Sequence, residues 1–320
     1  MTTTPLDRSP AIGLVAAGAV SVQFGAAFAT RLFGRVGPAG AVCLRLVIAA
    51  LVLMAVVQAL PSRRRGLPWP GPHGQQGSPR TGGLFADRMV VVGFGLVLAA
   101  MNLSFYEAID RIPLGVAVTV EFSGPLALAL VGSRRWSDGL WAVGAGAGVA
   151  LLATGAGRRL DPAGLALALL AGAFWIGYIL LSKQAGKRFA SVDGLAWAMS
   201  VGGLVVLPIG LASGGSTLLR PSVLGLGAAV AVLSSVIPYS LELLALRRVS
   251  PRAFGVMLSL DPAVATAAGF IVLGQHLTLR EWLALALVVV ANLGNTLTGR
   301  APAMGDDGLV PLPTDTRSAG

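Results

Sequence analysis

The chain has few of the residues that carry covalent and metal chemistry in proteins. Its 320 residues include one cysteine, Cys43, and two histidines, His73 and His276, which lie far apart in the sequence. An internal disulfide needs two cysteines, and a structural zinc site needs a cluster of Cys and His ligands. The sequence also lacks a GxxxxGKS/T phosphate loop and a Ser-His-Asp set of usable spacing. We therefore predict no metal site, no cofactor and no enzymatic activity.

Charged residues are also scarce. Asp, Glu, Lys and Arg make up 12% of the chain, about half of the roughly 25% that is usual in a soluble domain. Hydrophobic residues make up 55%, and the mean hydropathy is +0.77. An open sheet cannot face lipid, and the apolar runs lack the alternation of a membrane β-barrel. The composition therefore predicts an all-α polytopic membrane protein.

Ten apolar segments are long enough to be transmembrane helices, since about 20 residues cross the roughly 30 Å of hydrocarbon in a bilayer. We predict a long basic linker at 61–88, rich in Pro, Gly and Arg, and a disordered tail at 300–320. The sequence "AFA" at 27–29 resembles a signal-peptide cleavage site, but the first segment is long for a signal peptide and contains Gln23. The ten predicted spans are 11–29, 38–60, 89–109, 113–132, 139–156, 162–182, 192–212, 221–245, 251–273 and 280–298.

The net charge of +10 is distributed unevenly between alternate loops. With the N-terminus in the cytoplasm, 16 Lys and Arg residues fall in cytoplasmic segments and seven in outside loops. The positive-inside rule then predicts that both termini and the linker are cytoplasmic. Topology and contact with anionic lipid explain the basic character, so we predict no nucleic-acid partner.

The two halves of the chain resemble each other weakly. A displacement of 137 residues aligns Pro125 with Pro262, among a few other identities. A unit of five helices is odd, so the second unit must enter the membrane from the opposite side, as in many transporters. We predict two inverted five-helix repeats, at 1–156 and 157–299. Chance similarity between apolar helices is the alternative.

Two carboxyl groups lie near the middle of predicted spans, Glu121 and Asp261. An ionised group at that depth costs about 2.5–3.5 kcal/mol on insertion scales, so each needs a reason. Pro125 and Pro262 should bend the same spans, and the helix N-terminus at a bend favours an anion such as a substrate carboxylate. Asp261 directly before Pro262 also fits a helix N-cap followed by proline.

Glu121 lacks such a capping role. We interpret it as a carboxyl that exchanges a proton or binds a substrate amine; the alternatives are a neutral buried carboxyl and a buried salt bridge with Arg45. Arg45 could snorkel, face a cavity or pair with an acid, and we favour a structural role for it. Other polar and aromatic side chains within spans are candidates either for helix packing or for the wall of a small polar cavity: Gln23, Asn102, Trp175, Tyr178, Tyr239 and Asn292.

Several stretches resemble the EamA-type group of the drug/metabolite transporter superfamily, and within it the threonine/homoserine exporters. The resemblance spans about 260 residues and both halves of the chain. One family feature differs, because "LGQHLT" has Gln275 where the family usually shows Glu. The stretches are "SVQFGAAFATRLFGRVGPAGAVCLRL", "EFSGPLALAL", "GAFWIGYIL", "IPYSLELLAL" and "RAFGVMLSLDPAVATAAGFIVLGQHLT".

This resemblance implies ten helices in two inverted repeats around a central cavity. It also implies export of a small amino acid or related metabolite across the inner membrane, driven by the proton gradient. Separately from the resemblance, we expect a monomer or homodimer. A drug or other metabolite efflux carrier of the same fold is the first alternative. An integral membrane enzyme or a non-transporting receptor is the alternative of another class. The candidate residues that fall in the matching motifs are Glu121, Asp261, Arg45, Gln23, Trp175 and Tyr239.

Overall fold

The computed structural model describes residues 5–59, 84–131, 136–153, 160–189, 193–238, 241 and 258–298. Within these ranges the regular structure is helical and contains no strand, which confirms the all-α prediction for this part of the chain. A 3-10 turn at Gly215–Leu219 joins two of the helices, and a π turn at Val232–Val236 directly follows the second of them. The helices are α1 (Pro5–Ala59), α2 (Leu84–Arg111), α3 (Leu114–Glu121), α4 (Ser123–Val131), α5 (Trp136–Ala153), α6 (Pro162–Arg188), α7 (Asp193–Gly214), α8 (Pro221–Ala231), α9 (Asp261–Leu273) and α10 (Leu279–Thr298).

Several of these helices have the length and composition of membrane spans. Among the described residues, four helical segments are long and apolar enough to cross a membrane: Gly13–Ala59, Leu84–Arg111, Pro162–Gly186 and Asp193–Leu219. The 28 residues of α2 measure about 42 Å at 1.5 Å per residue, more than the roughly 30 Å of hydrocarbon. Shorter apolar helices lie at Leu114–Leu128, Gly139–Leu152, Pro221–Val236 and Asp261–Leu273.

Helix α1 contains two predicted spans, 11–29 and 38–60, and also the segment between them, which the sequence indicated as a loop. The helix is kinked at Gly37, whose backbone is not helical, with φ 70° and ψ 168°. Glycine adopts this backbone conformation without steric cost. The Ser213 hydroxyl donates a hydrogen bond of 2.8 Å to the Val36 carbonyl at the same place. We call residues 5–36 the N-terminal arm of α1 and residues 38–59 its C-terminal arm.

The predicted linker 61–88 ends earlier than the sequence indicated. Helix α2 begins at Leu84, so the last five residues of that range are helical. Asp87 lies in the first turn, where a carboxylate interacts favourably with the helix dipole, and it accepts a hydrogen bond of 2.8 Å from Arg188. The remainder of the linker and the tail 300–320 lie outside the described residues.

The predicted span 113–132 is divided into α3 and α4, with Phe122 between them. Proline has no N–H, so Pro125 cannot donate the helical hydrogen bond that the Glu121 carbonyl would otherwise accept. The Ser123 hydroxyl donates to the Val120 carbonyl at 2.7 Å beside the break. Glu121 is therefore the last residue of α3, at a local interruption of the helical hydrogen bonds where the backbone of Phe122 keeps φ −64° and ψ −14°.

Helix α9 also begins inside a predicted span, directly before a proline. Its N-cap position is occupied by Leu260, and Asp261 is the first helical residue, followed by Pro262. The interpretation of Asp261 as the N-cap residue is therefore wrong by one position. Asp261 is buried in this place, and its span, predicted from 251, is described from residue 258 onward.

Packing brings the end of α3 close to the start of α9. Helix α3 packs against both α9 and α6, α4 also packs against α6, and α1 packs against α7, α8 and α9. Gly172 of α6 comes so close to the break in the 113–132 span that an added Cβ would lie 2.6 Å from the Glu121 carbonyl oxygen. A small residue at this point is therefore what allows α6 to approach the break.

We expect Gly172→Ala to destabilise the protein, because overpacking against backbone typically costs about 1–3 kcal/mol. Gly186→Ala in the same helix is the matched control, since nothing lies within 4 Å of a Cβ added there. Thermal unfolding in detergent measures the difference. The melting temperature should fall for Gly172→Ala and should be unchanged or higher for Gly186→Ala; equal melting temperatures would contradict the close contact.

Candidate functional site

A cavity of about 400 Å³ lies between α1, α2, α3, α4, α6, α9, α10 and the π turn. This volume falls in the range of roughly 300–1,000 Å³ that is usual for small-molecule sites. Aromatic side chains form part of its wall: Phe105, Phe122, Trp175 and Tyr178. Its polar and charged lining is formed by Gln23, Arg45, Asn102, Glu121, Ser234, Ser259, Asp261, Asn292, Asn295 and Thr296.

Seven of the eight candidate binding residues identified in the sequence line this cavity. The eighth, Tyr239, lies outside the described residues. Pro125 also lines the cavity, and Pro262 is buried at the start of α9. The fold thus places around one cavity seven residues from distant parts of the sequence: Gln23, Arg45, Asn102, Glu121, Trp175, Tyr178 and Asp261. Their roles in binding remain predictions.

Two carboxyl groups and one guanidinium group share the cavity. Glu121 is the last residue of α3, Asp261 is the first of α9, and Arg45 lies on the C-terminal arm of α1. The charges of Arg45 and Asp261 both act on the Glu121 carboxyl. When both carboxyls are ionised, this trio carries one excess negative charge. A proton or an ammonium group can balance that charge, so the arrangement can hold a cation.

Arg45 is held in place by α2 and by the π turn. Its guanidinium donates to the Ser234 carbonyl at 3.0 Å, to the Tyr106 hydroxyl at 3.3 Å and to the Ser235 hydroxyl at 3.4 Å. The Ser234 carbonyl is available because the residue four positions later is Pro238, which has no N–H to donate. The side chain therefore has the structural anchorage that the sequence favoured and also lines the cavity.

Two of the four aromatic residues in the cavity wall, Trp175 and Tyr178, come from α6. Trp175 and Tyr178 are three residues apart and so share one helix face. The Trp175 ring meets Phe122 edge-on, with 4.8 Å between ring centroids and an interplanar angle of 85°. The Tyr178 ring lies 5.4 Å from that of Phe94. This wall adds an apolar surface to a cavity that also has a polar lining, a combination that orients a small polar ligand.

Comparison with known proteins decides the family. Residues 162–297 match the EamA-like transporter family. The threonine/homoserine exporters RhtA of Escherichia coli (strain K12) and Salmonella typhimurium (strain LT2) are each 40% identical to the chain over 282 residues, which is 88% of this chain and 89% of each relative. The chain belongs to the EamA-like transporter family. It is thus a membrane transporter and not an enzyme, as the sequence predicted.

Two further similarities agree with this membership. The uncharacterized transporter YwfM of Bacillus subtilis (strain 168) is 30% identical over 136 residues, or 42% of this chain and 46% of that protein. A protein of known crystal structure, 19% identical in sequence, shares the fold with a TM-score of 0.58 over 92% of this chain and 99% of its own. The second likeness concerns the fold alone.

Gln275, where the resemblance described above led us to expect Glu, has a structural contact and is not among the residues that line the cavity. Its side-chain oxygen accepts a hydrogen bond of 3.0 Å from the Leu114 backbone N–H at the start of α3. Gln275 follows Gly274, which ends α9 with φ 63°. A glutamate oxygen accepts the same bond, so the substitution preserves the contact between α9 and α3.

Sequence reasoning missed Ser234, Ser259, Asn295 and Thr296 as lining residues. Small hydroxyl and amide residues are common in membrane helices, and their type alone does not distinguish a cavity from a helix contact. One available signal was Pro238, because a proline frees the carbonyl of the residue four positions before it. That signal points to Ser234 but not to the other three residues.

Proposed function

We propose that this EamA-like transporter exports small amino acids such as threonine and homoserine across the inner membrane by proton antiport. The observation that carries the proposal is the cavity in which Glu121, Asp261 and Arg45 meet at the ends of two interrupted helices. An amino acid carries an ammonium and a carboxylate on one carbon, so its site needs acidic and basic groups close together. The two RhtA exporters support the choice of substrate by their 40% identity.

In this mechanism Arg45 binds the substrate carboxylate, for which a planar guanidinium fork is well suited. The N-terminus of α9 adds a favourable dipole. The carboxyl pair binds either the substrate ammonium or a proton. A proton that enters from outside neutralises Glu121 and releases the ammonium, and its loss to the cytoplasm prepares the carboxyl for the next substrate. Competition between the two cations for one carboxyl couples their opposite movements.

We further propose that ten transmembrane helices form two inverted five-helix repeats, 1–156 and 157–299. The positions of the helix breaks support this arrangement. Phe122 separates α3 from α4, and a turn at Ser259 precedes α9. These two residues are 137 positions apart, the same displacement that relates Pro125 to Pro262. Equivalent breaks in both halves would place two helix N-termini at the centre of the membrane.

We propose that both termini and the 61–88 linker are cytoplasmic. The charge bias supports this orientation. Ion pairs at the two ends of α2 support the assignment of segments to the same side of the membrane. Asp87 contacts Arg188 at 2.8 Å at one end, and Arg111 contacts Asp161 at 3.8 Å at the other. Each pair joins residues that the topology assigns to the same side of the membrane.

Cysteine labelling tests this topology. In a Cys43→Ser background, we expect Gly74→Cys in the linker to react with an impermeant reagent from the cytoplasmic side. Ser216→Cys, in the exposed 3-10 turn, should react from the outside. Labelling of both positions from one side would contradict the ten-helix topology.

Efflux of drugs or other metabolites is the second candidate function. The aromatic wall favours it, because Trp175 and Phe122 together offer an apolar surface. The acidic and basic groups of the same cavity favour the zwitterionic substrate instead. The amino-acid exporter and the drug carrier differ in the solutes that they should bind and transport.

Counterflow with purified protein in liposomes distinguishes them. Liposomes loaded with unlabelled threonine should take up labelled threonine several-fold faster than protein-free liposomes. Homoserine should compete with this uptake, and the lipophilic cation tetraphenylphosphonium should not. Counterflow of labelled tetraphenylphosphonium together with no counterflow of threonine would favour the drug carrier and contradict the amino-acid exporter.

A further inference from the structure

Gln23 is a buried polar side chain with no role in the transport mechanism proposed above. It lies on the N-terminal arm of α1, is 4% exposed, and lines the cavity. Its side-chain carbonyl oxygen, Oε1, has no hydrogen-bond partner among the described residues. A buried acceptor without a donor is unfavourable, so a ligand that supplies a donor at this place gains affinity.

The other two buried amides of the cavity have a defined orientation. The Asn102 side-chain nitrogen donates to the Leu98 carbonyl at 2.8 Å, and that of Asn292 donates to the Val288 carbonyl at 3.0 Å. A backbone carbonyl only accepts, so one N–H of each NH₂ group bonds to its own helix, and this contact identifies Oδ1 as the acceptor end of each amide. The neutral amides of the cavity therefore offer acceptors, and they fit a ligand with a neutral donor.

A second buried oxygen without a partner among the described residues, the Ser234 hydroxyl, is less suitable for this role. An added Cβ on Gly25 would contact that hydroxyl, so the oxygen faces the neighbouring helix at close range. A hydroxyl is also both donor and acceptor and would discriminate less. Gln23 combines burial, an unsatisfied acceptor and a place on the cavity wall.

We propose that the Gln23 Oε1 accepts a hydrogen bond from the side-chain hydroxyl of the transported amino acid, which makes Gln23 a specificity-determining residue. The inference rests on the proposed function, in which Arg45 and the carboxyl pair hold the substrate carboxylate and ammonium. The group of threonine or homoserine that remains is one hydroxyl. Valine has the shape of threonine with a methyl group in place of the hydroxyl, so it would leave the Gln23 oxygen unsatisfied.

Counterflow with threonine and valine as probes tests the assignment in the full chain. Gln23→Leu removes the acceptor and keeps a side chain of similar size. We expect the ratio of threonine to valine initial rates to fall about ten-fold, the value of one hydrogen bond. The fall should come from threonine, with valine transport equal or higher. Gln58→Leu is the matched control, since Gln58 is exposed on the C-terminal arm of the same helix, and its ratio should equal that of the unmodified protein.

The outcomes distinguish a failure of the proposed transport function from a failure of the role assigned to Gln23. If the unmodified protein transports neither amino acid, the proposed function fails and this inference fails with it. If the unmodified protein prefers threonine but Gln23→Leu keeps the same ratio, or slows both amino acids equally, only the assignment to Gln23 is overturned. Equal rates for threonine and valine in the unmodified protein overturn it as well. Should Gln23→Leu elute as an aggregate in size-exclusion chromatography, Gln23→Met undergoes the same comparison.

Discussion

Glu121→Gln should reach the membrane in normal amount and lose proton-driven threonine transport by a factor on the order of 100, comparable with the contribution of a positioned proton-transfer group in enzymes. Glutamine keeps the shape and hydrogen-bonding capacity of the side chain but cannot ionise. The variant therefore removes the negative charge that Glu121 adds beside Arg45 and Asp261 whenever its carboxyl is ionised. Uptake of labelled threonine driven by an imposed proton gradient measures the effect.

Glu107→Gln is the matched control for this substitution. Glu107 lies near the end of α2, is partly exposed, and contacts Arg111 at 3.4 Å in the next turn. It does not line the cavity, so proton-driven transport should remain close to that of the unmodified protein. Counterflow of threonine survives in Glu121→Gln if the carboxyl serves only the proton, and it is lost as well if the carboxyl also binds the substrate ammonium. Unchanged proton-driven transport in Glu121→Gln would contradict the mechanism.

Arg45→Gln is the second change with a large expected effect. It removes the guanidinium that faces the carboxyl pair and that should bind the substrate carboxylate. Loss of one partner of a buried charge pair typically costs about 2–5 kcal/mol, so the apparent affinity for threonine should fall on the order of 30-fold or more. Arg45→Lys should restore only part of the loss, because lysine lacks the fork that spans Ser234, Ser235 and Tyr106.

Two comparisons complete this test. Arg31→Gln makes the same substitution at an exposed site, where the side chain donates to the Val272 carbonyl, and threonine affinity should be unchanged. The double variant Glu121→Gln, Arg45→Gln removes both charges. If Glu121 served only to pair with Arg45, transport would recover in the double variant, because neither charge is left unpaired. Our mechanism predicts no recovery, since both groups bind substrate.

The interruption of the 113–132 span could be predicted from the sequence because its cause, a proline, is local. Pro125 removes one backbone donor four residues after Glu121, and this effect does not depend on the rest of the fold. The continuation of α1 through residues 30–37 was different. The stretch "GRVGPAG" has the composition of a loop, but the backbone at Gly37 alone absorbs the change of direction, with Ser213 of α7 holding the neighbouring carbonyl.

The π turn and the cavity depend on contacts between distant segments, which a single sequence does not contain. The Leu233 carbonyl accepts a hydrogen bond from Ser21, 212 residues away, and the Ser234 carbonyl accepts one from Arg45, 189 residues away. Sequence analysis could find Gln23, Glu121 and Asp261 because polar groups in apolar spans need a reason. It could not state that α1, α3 and α9 place them around one volume.

The central claim is that a proton gradient drives an amino acid through the cavity, and one flux measurement tests it most directly. Purified protein is inserted into liposomes with an acidic interior and a neutral exterior, and labelled threonine is supplied outside. We predict that threonine accumulates inside above its outside concentration, that a protonophore abolishes the accumulation, and that Glu121→Gln never shows it. Threonine uptake that stops at equal concentrations, with or without the proton gradient, in protein that still performs threonine counterflow would contradict proton antiport.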